Sequence, residues 1–134
     1  MSLDIIPFER QHLVPATALF STRYQTLCER VPALPASYAD PSTIAPRLTS
    51  LLGTYPGVAA IRHGQLVGFL SGFLMPSFRG KPTMFSPEWA NGAQPAESRV
   101  IYEHMYAHLA PQWSAQGASR HLVSMMAHDK AGIE

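Results

Sequence analysis

Gly57-Val-Ala-Ala-Ile-Arg-His-Gly-Gln-Leu-Val-Gly-Phe-Leu-Ser-Gly72 is the stretch whose reading decides the fold. Residues 57–62 and 65–75 are two runs rich in apolar and aromatic side chains, separated only by His63-Gly64. Glycine in a two-residue connection supplies the positive φ of a tight hairpin turn, so the spacing predicts two antiparallel strands. Gly68 and Gly72 lie four apart and share a face of the second strand, where missing side chains admit close packing or a bulge.

Upstream, Leu3 to Phe8 reads as a short strand that Pro7 confines to an edge or to its last residues. From Leu13 to Arg30 the positions Leu13, Ala16, Leu19, Phe20, Tyr24, Leu27 and Cys28 recur at helical spacing, with Pro15 suited to the first turn. The prolines between Val31 and Pro41 forbid a continuation and predict an ordered loop. A second helix starts at Pro41-Ser42-Thr43, presents Ile44, Leu48, Leu51 and Leu52, and ends at Gly53.

Downstream, Pro76 to Gly80 reads as turn and Pro82 to Pro87 as a third strand of the meander. Ser98 to Gln116 is a long helix closed by Gly117, with Tyr102, Met105, Tyr106, Leu109 and Trp113 in one arc that should face the core. His121 to His128 is nearly continuously apolar, the pattern of a strand buried on both faces. The expected order is β-α-α-β-β-β-α-β, an α/β arrangement of three layers.

The 134 residues suit one domain, 1–134. Asp129 would cap a helix that stops after Glu134, leaving apolar surface for further chain or a second copy to cover, so an incomplete C-terminal end is expected. A net charge of +1 without like-charge runs argues against nucleic acid and anionic membrane as partners. No stretch reads as a signal peptide or membrane span, and the single cysteine, Cys28, reads as a buried hydrophobe of a reducing compartment; a cytoplasmic protein is the expectation.

This element order, with the Gly57–Gly72 hairpin, resembles the GCN5-related N-acetyltransferases (GNAT proteins): a mixed, mostly antiparallel central sheet flanked by helices. Pro32-Ala-Leu-Pro, Ser86-Pro-Glu-Trp-Ala and Ala127-His-Asp are similar to segments of bacterial proteins in which a degenerate GNAT half precedes a second one. The resemblance implies an acetyl-CoA-dependent acyl transfer to a small-molecule amine, or a module of such an enzyme. It assigns Phe85, Ser86, Ala90, Asn91, Gly92 and Ala93 to the cofactor, and to Glu88 the removal of a proton from the amine.

The loop that opens the long helix in such enzymes holds the coenzyme A pyrophosphate on bare N–H groups and the helix dipole. Here Trp89–Ser98 offers one glycine, Gly92, no basic or Gln residue at the matching offset, a Pro95 without an N–H, and Glu97 where phosphate should sit. The alternative is therefore a non-catalytic GNAT-like domain that docks a second GNAT half or pairs as a homodimer.

Other polar residues have plainer readings. Glu88 also fits an exposed carboxylate at a strand end. Tyr102 and Tyr106 fit core packing. His104 and His108, four apart beside Glu103, lack a third ligand and face away from the core, so no metal is expected. His121, His128 and Asp129 bracket the last strand and could form an acid–base unit, though strand end and helix cap account for His128 and Asp129.

Overall fold

A computed structural model describes residues 3–30 and 40–124. The elements are β1 (Asp4–Pro7), α1 (Leu13–Arg30), α2 (Pro41–Leu51), β2 (Val58–Arg62), β3 (Gln65–Leu70), β4 (Phe73–Phe78), β5 (Lys81–Ser86), β6 (Asn91–Ala93), α3 (Ser98–Ala115) and β7 (Arg120–Val123). The expected loop at 31–39, and the calls on residues 125–134 including His128 and Asp129, lie outside the described residues.

Local chemistry explains most boundaries. Asp40 caps α2, its carboxylate accepting from the Ser42 N–H at 2.9 Å, and Pro41 follows at a position where no N–H is needed. Hydrogen bonds from Ser42, its backbone N–H first and its side chain second, hold the Asp40 carboxyl below its ordinary pKa. The β2–β3 turn places His63 at φ 53° and Gly64 at φ 74°, the double-positive geometry whose twist matches the flanking strands. A second turn of the same kind, Arg79-Gly80 at φ 52° and 82°, joins β4 to β5, so the Pro76–Gly80 stretch expected as turn is strand as far as Phe78.

The run 65–75 is not one strand. It breaks at Ser71-Gly72, and the third strand of the meander breaks after Ser86, where Glu88–Ala90 form a 3-10 turn before β6. Two sheets result: β1-β2-β3-β6, antiparallel throughout, and β4-β5-β7, in which β5 and β7 run parallel. The breaks sit side by side, joined by Ser71 N–H to Ala90 C=O at 2.8 Å. The pair of sheets is one meander splayed at a common level.

Both glycines earlier placed on one face pack under α3. A Cβ on Gly68 would stand 2.6 Å from Ile101 Cγ2, and one on Gly72 would stand 2.7 Å from the Phe85 carbonyl oxygen and 3.3 Å from Trp113. A register shift opposite Ala60–Ile61 leaves Val67 without a partner, so Val67 packs with the α3-side core beside Gly68 while Leu66 and Phe69 join the other core.

One core lies between the first sheet and α1–α2, built from Ala16, Phe20, Tyr24, Leu27, Ile44, Leu48 and Phe69; Cys28 is half-buried against it. The other lies under α3, from Val58, Leu70, Met84, Ile101, Met105, Leu109 and Trp113. Three layers follow, as the pattern implied. Two expectations are corrected. Tyr106 is 42% exposed on the flank of α3, while Ile101, absent from the expected arc, is fully buried. Among the described residues β7 pairs with β5 alone and is half-exposed, with Leu122 38% exposed, rather than buried on both faces.

Candidate functional site

Among the described residues, the splay leaves backbone groups of β6 facing outward between strands. Parallel pairing joins Thr83–Ser86 to Arg120–Val123 and is extended by Ser124 N–H to Ser86 C=O at 2.8 Å. Beyond it the chain of β5 turns away through Glu88–Ala90 and resumes as β6, which pairs only with β3 among the described residues. In an antiparallel pair alternate residues point their backbone groups at the partner. Ala90 C=O and Gln94 N–H bond to β3, at Ser71 and Val67, which puts the groups of Asn91 and Ala93 on the outer edge. Arg23, a buried cation of α1, confirms the direction by donating from Nη1 to the Ala93 carbonyl at 2.9 Å.

Asn91 spans the fork. Its Nδ2 donates to Ser86 Oγ (3.1 Å), to the Pro87 carbonyl (3.1 Å) and to the Ser124 carbonyl (2.9 Å), and its Oδ1 accepts from the Tyr102 hydroxyl (2.8 Å). Ser86, Asn91 and Tyr102 are all buried, so this amide satisfies groups that would otherwise be costly. Tyr102 thus packs in the core as expected, with its hydroxyl committed to Asn91.

The N-terminus of α3 lies just past β6. Glu97 occupies the N-cap position in the left-handed region, φ 63°, without a side-chain cap, and its carboxylate meets Arg62 Nη1 of β2 at 2.6 Å. The Glu97 side chain is 54% exposed and that of Arg62 16%. A negative group therefore stands at the positive end of α3.

Aminoglycoside N-acetyltransferase AAC(6')-Iy, solved with a bisubstrate analogue of CoA, superposes with a TM-score of 0.66 at 12% identity, over 99% of this chain and 86% of that one. A ribosomal-protein-alanine N-acetyltransferase from Brucella melitensis biovar Abortus gives 0.69 at 16%, over 99% and 86%. An aminoglycoside acetyltransferase from an uncultured soil metagenomic sample gives 0.65 at 21%, over 99% and 87%. This chain has the GNAT fold. No protein-family model matches the sequence, and no curated protein matches it.

Within the GNAT fold the residues singled out from sequence fall on one segment of chain. Phe85 and Ser86 end β5, Glu88 and Ala90 form the turn at the fork, and Asn91, Gly92 and Ala93 are β6. Ser86, Ala90, Asn91, Gly92 and Ala93 are buried, Phe85 is half-buried, and Glu88 is exposed. His104 and His108 are exposed on α3, and no group of three metal-ligating side chains occurs among the described residues. His121 lies away from the fork on the α3 side, its Nδ1 2.7 Å from the Tyr106 hydroxyl and its ring 5.3 Å from that of Trp113. Partial burial pushes its pKa down.

Arg23 and Arg62 went unnoticed in the sequence. Arg23 has one signal there, a cation at a position of α1 between the apolar residues Phe20, Tyr24 and Leu27; Arg62 at a strand end has none.

Proposed function

We propose that this GNAT-fold chain is an acyl-CoA-dependent N-acyltransferase domain acting on a small-molecule amine. The observation that carries the reading is the outer edge of β6. Asn91 and Ala93 turn their N–H groups to that edge beside the fork, the Ala93 carbonyl being taken by Arg23, which suits an extended, amide-bearing arm laid along the strand. Phe85, Ser86, Ala90, Asn91, Gly92 and Ala93 would line that arm. Coenzyme A would supply an acyl thioester, whose acyl group passes to the amine as the thiol leaves.

The chain's own contribution is positional and electrostatic. N–H groups on the β6 edge are rigidly held donors for a thioester oxygen that gains charge as the amine attacks. Glu88, exposed at the fork, would take the proton that the attacking amine loses. The fit is incomplete at α3, where Glu97, paired with Arg62, adds negative charge at the helix N-terminus on which a pyrophosphate would rest. Binding should therefore be weaker than a glycine loop would give.

Titration calorimetry with acetyl-CoA tests the reading. Saturable heat with a micromolar Kd, and thiol release when an amine panel is added, is the expected result; no heat at millimolar acetyl-CoA would overturn it. The Glu97–Arg62 pair favours a second reading, a non-catalytic GNAT-like domain that docks a second GNAT half or another copy. A monomer in sedimentation that binds no apolar dye would remove that one.

A further inference from the structure

Three aromatic rings meet where β7 lies against α3, away from the fork. Trp113 of α3 is wholly buried and anchored by its Nε1–H, which donates to the Pro56 carbonyl at 3.2 Å. His121 of β7 stands opposite Met84 of the α3 core, and its ring meets the Trp113 ring edge to face, with centroids 5.3 Å apart at 80°. Tyr106 lies two turns before Trp113 on the same side of the helix and is edge to face with both, 6.4 Å from Trp113 and 5.7 Å from His121.

This packing sets the Tyr106 hydroxyl 2.7 Å from His121 Nδ1. Tyr106 is 42% exposed and His121 is half-buried, so the pair stands at the surface. Neither side chain has another hydrogen-bond partner among the described residues. Partial burial lowers the His121 pKa, which leaves the ring uncharged at neutral pH. With its proton on Nε2, the imidazole accepts from the phenol at Nδ1. A hydroxyl within hydrogen-bond reach of a base, and a base oriented by a third group, here the buried indole, form the arrangement of an activated nucleophile.

We propose that Tyr106 is a nucleophile activated by His121, a site of acylation by small activated aryl esters. The phenol oxygen attacks the acyl carbon as Nδ1 takes its proton. A new bond from the tyrosine oxygen to the acyl carbon forms, the bond to the leaving aryloxide breaks, and the imidazolium returns the proton to that aryloxide. A tyrosine oxygen displaces a leaving group less basic than itself, which limits the ester to an activated one. A flat aromatic leaving group also suits the exposed edges of the two rings. The step uses neither the fork nor β6, so it stands apart from the acyltransferase reading.

The test is p-nitrophenyl acetate added to the full chain at neutral pH without coenzyme A. A burst of p-nitrophenolate stoichiometric with protein is expected, with the acetyl group mapped by peptide mass to Tyr106 rather than to any of the other tyrosines among the five in the chain. Tyr106→Phe, which keeps the ring in place, should remove the burst, and His121→Gln should slow it on the order of a hundredfold. The chain unfolded in urea should give no burst, because the two residues lie 15 apart and only the fold joins them. Acetyl found on Lys81 or His121 but not on Tyr106, a burst that survives Tyr106→Phe, an unchanged rate in His121→Gln, or equal reaction of the unfolded chain would each overturn the inference.

Discussion

Asn91 accepts from Tyr102 and donates toward Ser86, Pro87 and Ser124, holding α3, the end of β5 and the end of β7 at one point. Asn91→Leu removes the partner of the buried Ser86 hydroxyl and takes the Asn91 carbonyl from the buried Tyr102 hydroxyl, so urea unfolding should show a loss of about 1–3 kcal/mol. Adding Tyr102→Phe should cost less than the sum of the two single changes, because they share one hydrogen bond. Sequence alone put Asn91 at the site but could not tell that its side chain is committed to structure, since its partners lie 5, 11 and 33 residues away. Gly68 and Gly72 allow a graded comparison. Gly68→Ala presses on a side chain, Ile101, and should cost about 1–3 kcal/mol; Gly72→Ala presses on the Phe85 backbone, which cannot rotate away, and should cost more. Equal costs in denaturation would contradict the packing described.

At the scale of elements, periodicity and punctuation located the helices well. α1 spans Leu13–Arg30 as its spacing implied, and the His63-Gly64 turn joins the strands expected. The strand breaks at Ser71-Gly72 and at Glu88–Ala90 were not legible, because a run of apolar residues looks the same whether it crosses from one sheet to another or continues. β7 misled for a related reason: an apolar run indicates burial, but a strand paired on one edge exposes Leu122. The start of α3 yields a prediction of its own. Glu97→Gln keeps a hydrogen-bonding group opposite Arg62 and removes the negative charge from the helix N-terminus, a site where one charge is worth about 0.3–1 kcal/mol. Acetyl-CoA affinity should rise about two- to fivefold, with a larger gain at low salt. Unchanged affinity by calorimetry would place the phosphates elsewhere.

For the whole molecule, pH connects one site to global stability. Burial lowers the folded-state pKa of His121, so below the unfolded value of about 6.5 the unfolded chain binds the proton first. This group's contribution is complete above that value and declines as pH falls from it toward the folded pKa. Thermal unfolding between pH 7 and pH 5 should therefore lose stability in the native chain, and His121→Gln should flatten that part of the slope; an identical slope would exclude His121 as its source. The three layers, the hairpin and the helix order were set by the sequence itself, because 3.6- and 2-residue periods and turn residues act within a few positions. The degraded loop before α3 was also visible in Pro95 and Glu97 as residue types. The tertiary structure alone decided where the sheet splays, that Asn91 bridges the fork, and that Arg23 reaches the Ala93 carbonyl 70 residues away. Those relations depend on which strands meet and in which register, a consequence of closing long loops around a common core that no local pattern encodes.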